Sequence, residues 1–177
     1  LYEAKAALLA VKENTKLPVL VTMSFEEDGR TFTGCTVPAM ARTLEGLGAD
    51  AIGLNCSLGP DKLAPLLREL CKNTRLPVIA KPNAGLPDPV DGHYDMGPEE
   101  FAAALLPCLE AGVTIFGGCC GTSPEYIRQL CGVLKGKTPV PRTYDAAGFV
   151  CTPTTPLPLR GVRVIGERVN PTGKKRF

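Results

Sequence analysis

Short apolar runs alternate with helix-like stretches along most of this chain, and that rhythm restricts the fold more than any other feature. The runs begin near Val19, Ala51, Val78 and Thr114, a spacing of about 30 residues, which is the length of a strand–helix–strand unit. Residues 1–15 are rich in Ala and Leu and read as a helix. Strands follow at 17–25, 51–56, 76–81 and 113–116. Helices are expected at 37–47, 60–71, 98–111 and 124–134. Gly48 and Gly112 stop two of them, Pro60, Pro98 and Pro124 start three, and Ser123 precedes the last as an N-cap. Leu63, Leu66, Leu67 and Leu70 fall on one helical stripe. Val113 to Phe116 is β-branched or aromatic and suits a strand buried on both faces.

This order defines an α/β protein with a parallel sheet and right-handed crossovers. A doubly wound sheet and a (β/α)8 barrel both fit the alternation. No GxGxxG or phosphate loop follows any strand, which counts against a nucleotide-binding doubly wound fold. A barrel needs eight strands and about 250 residues, whereas this chain has 177 residues and four such strands. The expectation is the second half of a (β/α)8 barrel over residues 1–136. Residues 137–161 carry Pro139, Pro141, Pro153, Pro156 and Pro158 without apolar period and read as an extended interdomain linker. Residues 162–177 read as the first strand of a second domain. Both ends read as cut through structure.

The strand expected at 113–116 runs into Gly117-Gly118-Cys119-Cys120-Gly121. The glycines leave room for a close approach. The helix that opens just beyond favours thiolate over thiol through its positive end. A third cysteine has matching surroundings, because Gly48 and Cys56 stand eight positions apart, as do Gly112 and Cys120. Both segments put a thiol at the carboxyl end of one sheet. Cys56, Cys119 and Cys120 thus form a candidate S3 set with one position free, the arrangement of a catalytic rather than a structural zinc site. Vicinal cysteines also occur as redox pairs or as small buried residues, so a non-catalytic zinc or redox module is the competing reading.

Composition excludes several partners. The formal net charge is +2, with basic residues clustered only at Lys174-Lys175-Arg176, so no nucleic-acid surface is expected. No apolar run approaches the roughly 18 residues of a membrane span. Eight cysteines could signal disulfides, but Cys71, Cys108 and Cys131 lie within helical patterns and the 44% hydrophobic content can build a core. A reduced, cytoplasmic setting is the expectation.

Gly53-Leu54-Asn55-Cys56 and Gly117-Gly118-Cys119-Cys120-Gly121 resemble the zinc motifs of the cobalamin-dependent methionine synthases. Betaine- and S-methylmethionine-dependent homocysteine methyltransferases have similar motifs and are the alternative. Ile165-Gly166-Glu167-Arg168-Val169-Asn170-Pro171-Thr172-Gly173 resembles the opening of the folate-binding barrel that only the first group has. The resemblance implies that strands 5–8 of the homocysteine barrel occupy residues 1–136 and that the methyltetrahydrofolate domain starts at 162–177. The first half-barrel would precede Leu1, and the rest of the folate domain and a cobalamin domain would follow Phe177.

The resemblance further implies Cys56, Cys119 and Cys120 as zinc thiolates, with homocysteine sulfur in the fourth position. Free thiols have pKa values near about 8.5, and coordination deprotonates them. A dication with four thiolates is net anionic, which keeps the bound sulfur nucleophilic toward the methyl group of methylcobalamin, itself reloaded from 5-methyltetrahydrofolate. The product is methionine. Asn83 is implied as the zinc ligand when substrate is absent, with an ordinary Asn-Ala-Gly turn as its alternative. Glu167, Arg168 and Asn170 are implied on the pterin side. Asn55 and Ser57 flank a ligand and act either as supporting groups or as local caps. The 85–97 loop reads as a lid or as a plain insertion, and His93 within it as a solvated residue. The chain alone is expected to be inactive.

Overall fold

The computed structural model describes residues 1–144 and 147–163. The elements, in order, are α1 (Tyr2–Asn14), β1 (Leu20–Met23), α2 (Val37–Gly46), β2 (Ala51–Asn55), α3 (Pro60–Asn73), β3 (Val78–Lys81), α4 (Pro98–Glu110), β4 (Ile115–Phe116), α5 (Pro124–Leu134), β5 (Phe149–Cys151) and β6 (Pro156–Pro158). β1 to β4 form one parallel sheet in the order β1-β2-β3-β4. β5 and β6 form a separate antiparallel hairpin.

Local chemistry explains the helix boundaries. Pro60, Pro98 and Pro124 each open a helix, where a missing N–H costs nothing. Thr36 caps α2, its Oγ1 accepting from the Ala39 amide at 3.4 Å. Gly48 (φ +86°) and Gly112 (φ +95°) end α2 and α4 in the left-handed region, so the two matched stops turn the chain the same way into β2 and β4. The α3 stripe of Leu63, Leu66, Leu67 and Leu70 is wholly buried. It packs with Leu44 of α2, Ile52 and Leu54 of β2, and Phe101 and Leu105 of α4 in one hydrophobic core.

Burial falls off toward the sheet edges. β2 and β3 are buried along almost their whole length, whereas β1 is open at Leu20. β4 departs from expectation. It is only two residues long, pairs with β3 alone, and leaves Ile115 36% exposed. Burial on both faces needs layers on both sides and neighbouring strands, and an edge strand lacks one neighbour.

The stretch expected as an extended linker holds the β5–β6 hairpin, which packs against α2. Arg42 of α2 explains the docking. Its guanidinium lies 4.7 Å from the ring centre of Tyr144 and 4.0 Å from that of Phe149, and its Nη1 donates to the Tyr144 hydroxyl at 2.6 Å. Thr36 Oγ1 donates to the Thr154 carbonyl at 3.0 Å, and Arg142 Nη2 to the Leu76 carbonyl at 2.7 Å. Among the described residues no helix is long and apolar enough to cross a membrane.

Candidate metal centre

The parallel register delivers the three cysteines. Asn55 of β2 pairs with Lys81 of β3, and Ala80 of β3 with Phe116 of β4. Backbone hydrogen bonds continue past the strand ends. The Cys56 amide donates to the Lys81 carbonyl (3.0 Å), the Gly117 amide to Ala80 (2.9 Å) and the Cys119 amide to Pro82 (2.8 Å). The Ala84 amide donates to the Cys120 carbonyl at 2.9 Å. Both thiol-bearing segments are thus stitched to the chain leaving β3.

Each segment then turns sharply. Cys56 (φ 61°) and Ser57 (φ 59°) occupy the left-handed region without being glycine, which costs roughly 1–2 kcal/mol per residue. Such strain is typical of positions held for function. At Gly118 the close neighbour is Thr122. A Cβ there would stand 2.5 Å from Thr122 Oγ1, which donates to the Cys119 carbonyl at 2.7 Å.

The sulfurs meet. Cys56 Sγ lies 3.5 Å from Cys120 Sγ, Cys119 Sγ lies 4.0 Å from Cys120 Sγ, and all three fall within 4.8 Å of one another. Tetrahedral zinc with bonds of about 2.3 Å sets its sulfurs about 3.8 Å apart, close to the two shorter separations of the set. Soft thiolates also suit that borderline metal.

Their acidities divide. Burial opposes ionisation of Cys56, but the Ser57 amide and the side chains of Cys120, Cys119 and Asn83 bring it below the ordinary thiol value. Cys120 moves the other way, raised first by its hydrogen bond with Cys56 and then by Cys119. These partners favour ionisation at Cys56 over Cys120. Ser123 is the N-cap residue of α5 but makes no side-chain cap bond.

The sequence matches the family model for homocysteine S-methyltransferase over residues 1–134. The chain belongs to the homocysteine S-methyltransferase family. It is 36% identical over 195 aligned residues to the methionine synthase of Mycobacterium leprae and 35% identical over 188 to that of Mycobacterium tuberculosis. Each alignment takes in the whole chain, which spans 16% of the length of either relative. Among solved structures it is similar to the Escherichia coli homocysteine methyltransferase MmuM in metallated form. That match has a TM-score of 0.57 and 20% identity, and covers 74% of this chain and 41% of that one. The apo form gives a TM-score of 0.56 at 20% identity, covering 73% and 44%. The shared architecture is an α/β fold with a parallel sheet.

Within this homocysteine S-methyltransferase domain, the structure brings Asn83 to the thiols. Asn83 is 4% exposed, and its Oδ1 accepts from the Cys120 amide at 3.1 Å. Its backbone amide donates to the Leu58 carbonyl at 3.0 Å. Ser57 supports Cys56 through its backbone rather than its hydroxyl. His93 is exposed in the 85–97 loop. Glu167, Arg168 and Asn170 lie outside the described residues, as does the strand expected near them.

One residue of the centre was not singled out from sequence. Tyr94 is half-buried between exposed His93 and Asp95. Burial, then the adjacent Cys120, push its phenol above the ordinary value, with Cys56 and Cys119 adding to the effect. The available signal was an aromatic residue within a loop that leaves the thiol-bearing end of the sheet.

Proposed function

We propose that Cys56, Cys119 and Cys120 hold one zinc ion and that the centre activates homocysteine for methylation to methionine. The observation that supports this most is the convergence of three sulfurs, from two strands far apart in sequence, in a homocysteine S-methyltransferase domain. Zinc bound there supplies a cation that holds a substrate thiol as thiolate near neutral pH. The residues of the chain do the rest. The two turns aim the sulfurs at one point, and Asn83 fixes the Cys120 backbone while keeping an oxygen beside the opening. That placement supports Asn83 as the ligand used before substrate arrives. A cytoplasmic, reducing setting suits three thiols that must stay unoxidised.

The sheet order supports the half-barrel reading. Right-handed crossovers that always step to the next strand put every connecting helix on one face, as in a barrel, whereas a doubly wound sheet reverses direction. Residues 1–136 then represent strands 5–8 of a (β/α)8 domain, residues 137–161 a connector, and residues 162–177 the start of a folate-binding domain. On this reading the homocysteine contacts are completed by polypeptide outside the chain, and the chain alone does not catalyse methyl transfer. Methylcobalamin, reloaded from 5-methyltetrahydrofolate, is the donor that the resemblance at Ile165 to Gly173 favours over betaine or S-methylmethionine.

The test is calorimetric titration of the full chain with zinc and then with homocysteine in buffers of different ionisation enthalpy. One zinc per chain and release of a proton on homocysteine binding are expected. A Cys119–Cys120 disulfide in the native protein, or no zinc uptake by the reduced protein, would overturn the proposal in favour of a redox module.

A further inference from the structure

Every backbone polar group of the Cys119-Cys120 pair has a partner. The Cys119 amide donates to the Pro82 carbonyl at 2.8 Å, and the Cys120 carbonyl accepts from the Ala84 amide at 2.9 Å. Those two bonds tie the pair to the chain leaving β3. The other two groups are held by side chains. The Cys120 amide donates to Asn83 Oδ1 at 3.1 Å, and the Cys119 carbonyl accepts from Thr122 Oγ1 at 2.7 Å. The Thr122 amide donates to the same carbonyl at 3.2 Å.

Thr122 is half-buried and directly precedes Ser123, the N-cap residue of α5. Its hydroxyl nevertheless bonds back to Cys119 rather than forward to the helix. The side chain also fills the space beside Gly118. A Cβ at Gly118 would stand 2.5 Å from Thr122 Oγ1, 2.7 Å from Cγ2 and 2.8 Å from Cβ. Gly118 does not adopt a positive φ, so the threonine, and not the backbone, reserves that place for glycine. Branching at Cβ restricts the rotamers of Thr122, which keeps the hydroxyl aimed.

We propose that Thr122 is a positioning residue of the three-thiol centre: its hydroxyl bond to the Cys119 carbonyl and its packing on Gly118 hold the vicinal pair in the turn that presents both sulfurs to one point. The hydroxyl bonds to a carbonyl and not to a sulfur, so it acts through backbone geometry. Ligands held in place before binding give tighter sites than ligands that must be ordered. The consequence for zinc rests on the metal reading, whereas the hold on the turn stands on the thiols alone.

Three variants of the full chain test this. Thr122→Val keeps the shape and removes the donor, Thr122→Ser keeps the donor, and Ser123→Ala removes the neighbouring hydroxyl. In chelator competition, Thr122→Val should bind zinc about tenfold more weakly, the size of effect expected from a group that orients a ligand. Thr122→Ser and Ser123→Ala should stay near the parent. Fully cobalt(II)-loaded Thr122→Val should show shifted ligand-field bands, which a mere loss of fold stability would not produce. A parent-like affinity or a parent-like cobalt spectrum in Thr122→Val overturns the proposal. So does an equal loss in Ser123→Ala, or a failure of Thr122→Ser to restore binding. A parent protein that takes up neither metal defeats the metal reading alone. Phenylarsine oxide, which bridges neighbouring thiols, then decides: weaker capture by metal-free Thr122→Val than by the parent and Thr122→Ser supports the hold on the turn, and equal capture overturns it.

Discussion

Two groups of cysteines share this molecule and are treated by it in opposite ways. Cys56, Cys119 and Cys120 stand where the strands end, at least partly accessible and within reach of one another. Cys71 of α3 and Cys108 of α4 are buried among leucines in the helical layer. Burial raises both of the latter, Cys108 to about 11. At the strand ends, Cys56 is instead lowered by amide and thiol partners. The same functional group is an accessible, hydrogen-bonded thiol in one place and a small hydrophobe in the other, and burial and partners make the difference.

The largest test of that contrast is metal retention. Cys56→Ser should weaken zinc binding by at least about a thousandfold, beyond what loss of an outer supporting group costs. Cys108→Ala should still bind one zinc. Chelator competition on the two variants checks this, and equal losses would erase the distinction.

Alkaline stability sharpens the comparison from the buried side. Cys108 ionises near about 8.5 when unfolded and at about 11 when folded. The unfolded chain therefore binds fewer protons between those values. The thiol's stabilising contribution is complete below the unfolded value and is lost as pH rises through the folded one. Relative to Cys108→Ala, the parent should lose about 3 kcal/mol across that window, read from urea midpoints at successive pH values. A constant difference between the two proteins would show that Cys108 is not held neutral.

The smallest effect concerns backbone strain near the accessible set. Ser57→Gly removes a Cβ from a left-handed position, offset by the entropy that glycine loses on folding, for a net gain of less than about 1 kcal/mol. A small rise in Tm with zinc affinity intact is expected. A fall would mean that the Ser57 side chain contributes more than its amide does.

Much of the centre was legible because its signals are local. Gly48 and Gly112 stop helices, the apolar runs make strands, and equal spacing to Cys56 and Cys120 puts both at one end of a parallel sheet. Prolines at 60, 98 and 124 marked helix starts because the missing N–H is tolerated only there. The β5–β6 hairpin was not legible, since Pro156 and Pro158 break the strand pattern and survive only in a two-stranded edge arrangement. Tyr94 was hidden for another reason. Its neighbours Pro87, Pro89, Gly92 and Gly97 show no period, and only the folded loop brings its ring to Gly121. The short β4 follows from position in the sheet, which composition does not encode.

The clasp between α2 and the 144–154 stretch has a kinetic consequence. Its contacts join residues 102 and 118 positions apart, whereas those tying α1 to Asp50 and β3 to Thr114 span 38 and 36. Closing the longer loop costs more chain entropy and is rewarded only after α2 exists to receive it. The βα units should therefore assemble first and the clasp should snap shut last. Cutting it at Arg42 would then quicken unfolding and hardly slow folding.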